Sequence, residues 1–357
     1  MAPVVQALRA SGAFDCQVWS TGQHREMLDQ VLDVFGLEVD RDLNVMTPGQ
    51  TLNEIFSQVM AGADRLLVEE RPDMVLVHGD TSTAAAAATA AFHRGIRIGH
   101  VEAGLRSGRL DQPWPEEFNR RLVDMVSDRL FAPTETARRN LIAEGVAKDR
   151  ISVTGNTVID ALLQTRSSIQ ADIGRRGRLD AAFRFLDPTR PLVLVTGHRR
   201  ESFGEGFQQI CMAIRDIVAD GAIQVVYPVH LNPNVQEPVR VILGGLDGVH
   251  LVPPTDYPTF VYLMDRADVI LTDSGGVQEE APSLDKPVLV MRDVTERPEA
   301  VEAGVARLVG ADRQRIVAGV RSALDHAKRP PLSNPYGDGR AALRIVQELQ
   351  RVADGLR

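Results

Sequence analysis

Short, nearly continuous apolar runs alternate with longer amphipathic stretches along most of this chain. Runs at residues 17–20, 74–78, 96–101, 129–132 and 151–153 predict one series of strands. A second series is predicted at 192–196, 223–229, 249–252, 269–272 and 287–291. These runs do not alternate apolar with polar positions, which is the pattern of strands buried on both faces. Helical periodicity falls between them, at 24–35, 51–70, 84–93, 116–126, 136–144, 204–219 and 257–267. Strand and helix in alternation imply parallel sheets covered by helices, an α/β chain.

The two series are separated by residues 165–190, which carry Gly-Arg-Arg-Gly and Asp-Pro-Thr-Arg-Pro and no strand signal. They predict a short helix and a linker between two doubly wound domains, 1–165 and 166–340. Residues 341–357 predict a helix that packs back on the first domain. A length of 357 residues suits two domains. With 44% hydrophobic and 25% charged residues, the chain is not a disordered one. A net charge of −8 without a basic block argues against nucleic acid as a partner. No apolar run reaches the ~20 residues of a membrane helix, so no membrane partner is expected. The lone Cys16 and Cys211 exclude a disulfide framework and a cysteine zinc site. With no leader pattern at the start, the expected compartment is the cytoplasm.

In open parallel sheets ligands sit beyond the carboxyl ends of the strands. Polar residues crowd those positions in both series. Asp80 and Glu102 follow two strands of the first, and His198, Arg199 and His230 follow strands of the second. This is the layout of a cleft between two domains. In Asp273-Ser274-Gly275-Gly276-Val277-Gln278-Glu279-Glu280 a strand ends, a glycine turn follows and a helix begins. The backbone N–H groups of Ser274, Gly275 and Gly276 suit a phosphate there, and Glu280, one turn on, suits the two hydroxyls of a ribose. Arg297 can pair with phosphate bidentately. The same segment also reads as an ordinary Ser N-cap with a glycine turn. It is neither a Walker loop nor a Gly-x-Gly-x-x-Gly fingerprint.

Asp80, Glu102 and Glu116 are the carboxylates suited to proton transfer, since acids gathered in a partly dry cleft repel one another and at least one is pushed toward neutral. Glu116 and Glu117, after Pro113-Trp114-Pro115, also suit the first turn of a helix. His78 and His100 lie inside apolar strands and are expected as packed, hydrogen-bonded rings. No metal site is expected, because no histidine pair has metal-ligand spacing with a matching acid.

Several motifs occur in order: Val77-His78-Gly79-Asp80-Thr81, His100-Val101-Glu102-Ala103-Gly104-Leu105-Arg106, Pro113-Trp114-Pro115-Glu116-Glu117 and Thr154-Gly155-Asn156-Thr157. Thr196-Gly197-His198-Arg199-Arg200-Glu201, Tyr227-Pro228-Val229-His230, the Asp273-Ser274-Gly275-Gly276 turn and Thr295-Glu296-Arg297-Pro298-Glu299 complete the set. Over essentially its whole length the chain resembles the non-hydrolysing UDP-N-acetylglucosamine 2-epimerases. The resemblance implies two Rossmann-like domains facing across a cleft, of the GT-B type, and a homodimer. It implies conversion of UDP-N-acetylglucosamine to UDP-N-acetylmannosamine through loss of UDP and a 2-acetamidoglucal intermediate, with no cofactor, for bacterial surface polysaccharides.

The same resemblance makes Asp80, Glu102 and Glu116 the acid–base groups and has His198 assist UDP departure. Ser274, Gly275, Gly276, Glu280 and Arg297 would hold UDP, with Phe260 lining the base pocket. It links Gln23, Arg199 and His230 to a second, activating nucleotide-sugar site. The family pattern places a strand and a Gly-Thr-Arg-Pro-Glu loop before Met-Ala-Pro, where this chain begins, so the first strand of the N-terminal domain is expected upstream of Met1. Alternatives of the same architecture are a GT-B glycosyltransferase, a hydrolysing epimerase and a nucleotide-sugar binding protein without turnover.

Overall fold

The computed structural model describes residues 1–22, 25–47, 49–199, 202–325 and 333–355. In chain order the elements are α1 (Ala2–Ser11), β1 (Trp19–Ser20), α2 (Arg25–Phe35), β2 (Arg41–Asp42), α3 (Leu52–Glu70), β3 (Met74–His78), α4 (Ser82–His93), β4 (Arg97–Val101), α5 (Glu116–Val126), β5 (Arg129–Ala132), α6 (Glu135–Ala143), β6 (Ile151–Val153), α7 (Thr157–Ala171) and α8 (Ile173–Ala182). There follow β7 (Leu192–Thr196), α9 (Glu205–Val218), β8 (Gln224–Pro228), α10 (Pro233–Leu243), β9 (Val249–Val252), α11 (Tyr257–Arg266), β10 (Val269–Thr272), α12 (Gly275–Glu280), β11 (Val288–Val290), α13 (Pro298–Glu302), β12 (Ala306–Leu308), α14 (Arg313–Asp325) and α15 (Ala341–Asp354). They divide into two compact units, the first formed by Met1–Ala161 with Tyr336–Arg357, the second by Leu162–Pro335.

In the first unit β3, β4, β5 and β6 form a parallel sheet in that order, and β1 pairs with β2 in a separate parallel ribbon. Local chemistry sets the helix starts. Thr51 and Glu54 make a reciprocal capping box on α3, with Glu54 N–H to Thr51 Oγ1 at 3.3 Å and Thr51 N–H to Glu54 Oε2 at 2.7 Å. Thr81 and Thr134 cap α4 and α6. The alanine face of α4 buries Ala84, Ala85, Ala88 and Ala91 against α3 and the sheet, where larger side chains would hold the layers apart. A separate cluster joins Val4 and Leu8 of α1, Val101 and Phe131 of the sheet, and Ile345, Val346 and Leu349 of α15. Asp160 seats that last helix by accepting the N–H groups of Ala341 and Ala342, at 3.1 and 2.9 Å.

The second unit carries a six-stranded parallel sheet in the order β12-β11-β10-β7-β8-β9. The chain starts in the middle at β7, builds outward to β9, returns to β10 and builds outward the other way. That is the doubly wound order, and its direction reverses between β7 and β10. Phe207, Ile210, Ile214 and Ile217 of α9, Val235 and Val239 of α10 and Ile316 of α14 pack on Val193, Val225 and Leu271.

Several expectations need correction. Residues 165–190 are mostly helical, because α7 runs to Ala171 and α8 follows at once from its Asp172 N-cap. The helices α1, α10 and α14 were not expected. Pro3 and Pro233 stand at the first positions of α1 and α10, where proline is favourable. Pro238 also lies within α10. Strands β2 and β12 were missed as well, since two or three residues carry no usable periodicity.

Candidate active site

Two loops of the second unit meet where the strand order reverses: Gly197-His198-Arg199 after β7 and Asp273-Ser274-Gly275 after β10. Backbone and buried side chains fix both. Asp273 is 1% exposed, and its Oδ2 accepts the N–H groups of His198 and Arg199 at 2.7 and 2.8 Å. Tyr227, fully buried on β8, donates its hydroxyl to Gly197 O at 3.0 Å. Ser274 is the N-cap residue of α12, and its N–H donates to Thr272 Oγ1 at 2.9 Å. A side chain at 275 would come within 3.9 Å of both Arg199 Nη2 and Arg297 Nη2, so two guanidiniums converge on the glycine turn. The space over Gly276 is open but for Ser274 Oγ at 4.0 Å.

Arg297 is held from several sides. It pairs with buried Glu279, and its N–H donates to Thr295 Oγ1 at 3.1 Å. That hydroxyl donates to Gln278 Oε1 at 2.6 Å, and Gln278 Nε2 donates back to Ser274 O at 3.1 Å. The turn and the cation beside it are thus one network. Glu280 is 6% exposed and accepts the Tyr257 hydroxyl at 2.9 Å. Burial pushes its carboxyl up to about 7, against the Tyr257 hydrogen bond and with help from Glu279. Burial and the carboxylate likewise push the Tyr257 hydroxyl up. Phe260 sits one turn into α11 and is partly buried. The His198 and His230 rings stack at 5.4 Å and 17°.

In the first unit Asp80 and Glu102 lie beyond the carboxyl ends of β3 and β4. Glu102 takes a left-handed φ of 71°, a conformation uncommon for a side-chain-bearing residue and costing ~1–3 kcal/mol. Its carboxylate lies with Oε2 3.3 Å from His78 Nε2, and Asn156 Nδ2 donates to Oε1 at 3.4 Å. Desolvation, with the chain's amino terminus and His100 nearby, pushes His78 well below the ordinary imidazole range. Helix α5 is tied to the same place. Asn119 Nδ2 donates to Asp80 O at 2.9 Å and Arg120 pairs with Asp80 Oδ2 at 2.5 Å. Glu116 opens α5 and is partly exposed, whereas Glu117 is buried, accepting Ser107 N–H and pairing with Arg120 and Arg121.

Beneath these acids His100 is fully buried, with Nδ1 2.6 Å from Asp124 Oδ1 and Nε2 2.9 Å from Gly79 O, as its apolar strand predicts. Asp124 also accepts Gly104 N–H at 3.2 Å and pairs with Arg106 at 2.8 Å. One buried carboxylate therefore anchors both acid-bearing loops. Sequence reading missed Arg120, Tyr257 and Asp124, and gave Asp273 only as the first residue of the anion turn. The available signal for Arg120 was Arg-Arg one turn after an acid pair. Tyr257 and Asp124 gave none, because helical tyrosines and acids are common. Gln23 lies outside the described residues, as do Arg200 and Glu201. Among the described residues no group of three or more His, Cys, Asp or Glu side chains is arranged to hold a metal ion.

The sequence pattern of the family described as UDP-N-acetylglucosamine 2-epimerase matches residues 6–350. A UDP-N-acetylglucosamine 2-epimerase of Escherichia coli (strain K12) is 55% identical over 355 residues, covering 98% of this chain and 94% of that protein. The crystal structure of the Neisseria meningitidis UDP-GlcNAc 2-epimerase bound to UDP-GlcNAc aligns with a TM-score of 0.89 at 45% identity, over 98% of this chain and 96% of that one. The Methanocaldococcus jannaschii enzyme in complex with UDP-GlcNAc and UDP aligns with a TM-score of 0.78 at 33% identity, over 98% and 95%. These likenesses span both units and agree with their Rossmann-like, GT-B architecture. The chain belongs to the UDP-N-acetylglucosamine 2-epimerase family.

Proposed function

We propose that this chain interconverts UDP-N-acetylglucosamine and UDP-N-acetylmannosamine. The observation that carries the reading is the pair of guanidiniums, Arg199 and Arg297, converging on the Ser274-Gly275-Gly276 turn where the sheet reverses. It is a site built for a diphosphate. Glu280 then takes the ribose hydroxyls, giving up its contact with Tyr257 or sharing it, and Phe260 lines the base pocket.

The acid–base groups are Asp80, Glu102 and Glu116. The C2 hydrogen of the sugar is not acidic, so a free carbanion is out of reach. A carboxylate takes the C2 proton, the C2–H electron pair becomes the C1–C2 double bond, and the C1–O pair leaves with UDP. Return of UDP to C1 and of a proton to the other face of C2 completes the epimerisation. The departing diphosphate gathers charge as C1–O breaks, and fixed donors at His198, Arg199 and Arg297 stabilise it most at that point. No part of this sequence calls for a redox cofactor.

A homodimer is part of the reading. Phe118 and Met125, seven residues apart on α5, are 53% and 72% exposed, and Phe92 at the end of α4 is 57% exposed. Phe92 and Met125 line one surface hollow, and exposed apolar side chains of this size suit a second copy. Supply of N-acetylmannosamine units to a bacterial surface polysaccharide, in the cytoplasm, completes the proposal, and Arg199 and His230 are its candidates for contact with an activating nucleotide sugar. No helix among the described residues is long and apolar enough to cross a membrane.

The test is incubation with UDP-N-acetylglucosamine in D2O, followed at C2 by proton NMR. Deuterium at C2 together with UDP-N-acetylmannosamine is expected. A glycosyltransferase would leave the C2 hydrogen in place, and net release of free N-acetylmannosamine would mark hydrolysis. UDP binding without exchange would overturn the catalytic reading.

A further inference from the structure

Asp273 has more to do than hold a loop. Its Oδ2 is fully used by the His198 and Arg199 N–H groups. Its Oδ1 is buried, has no hydrogen-bond partner among the described residues, and lies 3.4 Å from His198 Nδ1. The Thr196 and Thr272 hydroxyls bond each other at 2.6 Å, and the Tyr227 hydroxyl bonds Gly197 O. A buried carboxylate oxygen with no donor is unfavourable, and the imidazole edge facing it is the donor within reach. The stacked His230 ring limits how His198 can turn away, while 44% of the His198 side chain stays open to solvent.

We propose that Asp273 is a positioning residue that acts through His198. Its Oδ1 takes the Nδ1–H of the ring, and the doubly protonated imidazole directs its Nε2–H outward as a charged donor to the diphosphate oxygen that leaves C1. Charge-assisted hydrogen bonds of this kind are shorter and stronger than neutral ones, and this one strengthens as the leaving group gathers charge. The inference rests on the reading of His198 as the group that assists UDP departure.

The informative variant is Asp273→Asn. Its Oδ1 can still accept the two backbone N–H groups, so the loop keeps its anchor. Its NH2 then faces Nδ1, which must accept instead of donate, and the ring keeps Nε2–H but loses its charge. In the epimerisation assay we expect kcat to fall about 10- to 100-fold, with KM within about threefold, because a neutral donor remains where a charged one stood. Asp273→Asn combined with His198→Gln is expected to be no slower than His198→Gln alone, since the carboxylate works only through the ring. Unchanged kcat in the single variant, or a further loss in the double variant, would overturn the proposal. A second readout does not depend on turnover. In the UDP complex of the protein labelled with 15N-histidine, both His198 ring nitrogens should be protonated, and Asp273→Asn should deprotonate Nδ1. An unprotonated Nδ1 in the unsubstituted complex refutes the dyad even where epimerisation proceeds. Failure of C2 exchange in the unsubstituted protein refutes the epimerase reading and leaves the ring measurement to decide the dyad.

Discussion

Glu280→Gln should make this protein more stable while costing it its nucleotide, and by an amount that depends on pH. The folded protein pushes the Glu280 carboxyl from the ordinary 4.5 up to about 7, chiefly by burial. Well below pH 4.5 the group is neutral whether the chain is folded or not, and its ionisation costs little. As pH rises through the window from 4.5 to about 7, the unfolded chain ionises freely and the folded one does not, so stability falls. Above that window the full cost is present, about 3 kcal/mol at ~1.4 kcal/mol per tenfold change in proton affinity. Near pH 5.5 only about 1 kcal/mol is present by the same relation. Glutamine has the shape of the protonated acid and can still accept the Tyr257 hydroxyl, so it removes the ionisation cost and little else. For a unit of this size ~1 kcal/mol moves Tm by about 2–4 °C. Thermal melts should therefore place the variant roughly 6–12 °C above the unsubstituted protein at about pH 8, narrowing to a few degrees near pH 5.5. Calorimetric titration should show UDP affinity falling at the same time. An equal offset at both pH values, or a variant less stable at about pH 8, would show that Glu280 is not a buried acid held near neutrality.

Other perturbations give distinct signatures. Arg120→Leu removes the ion pair that fixes Asp80 and should lower kcat for C2 exchange by about 100-fold with UDP affinity unchanged; weaker UDP binding with normal kcat would refute that placement. Gly104→Ala forces a side chain into a φ of 86° with its Cβ 2.4 Å from the Ala137 carbonyl oxygen, so it should destabilise the first unit by roughly 3 kcal/mol or more in denaturant melts. An unchanged midpoint would contradict the close approach of that loop to α6. Asp160→Ala leaves the first N–H groups of α15 without their acceptor and should cost about 1–2 kcal/mol, seen as faster amide exchange across 341–349 before other segments.

What could be read from the sequence was what repeats along it or recurs as a motif. The strands β3, β5, β6, β7, β9 and β10 match their apolar runs residue for residue; β7 and β10 in the middle of their sheet are buried almost throughout, whereas β3, β6 and β9 at sheet edges are only partly buried. Helices α1 and α10 went unread although Pro3 and Pro233 stand at their first positions, where proline favours a helix start. Within the site, Ser274, Gly275 and Arg297 were legible as an anion turn, yet the Thr295–Gln278–Ser274 chain that aims Arg297 was not. Glu116 and Glu117 are adjacent in a capping position, and only the structure separates a partly exposed acid from one fully engaged with Ser107, Arg120 and Arg121. Asp124 serves residues at positions 100, 104 and 106, a partnership that no local pattern encodes. Periodicity reports which face of an element is buried. It does not report which buried polar group completes another.

The return of α15 to the first unit sets an order of assembly during synthesis. The second unit is one uninterrupted stretch, Leu162–Pro335, and is whole before the last helix leaves the ribosome. The first unit has most of its chain by then but lacks Ile345, Val346 and Leu349, which cover Val4, Leu8 and Phe131. Domains usually mature in the order they are translated; here the earlier unit cannot complete its core until the last helix has been made. A premature stop that removes only the final helix would therefore spare the nucleotide-binding sheet and leave the acid-bearing unit as the part that chaperones and proteases find.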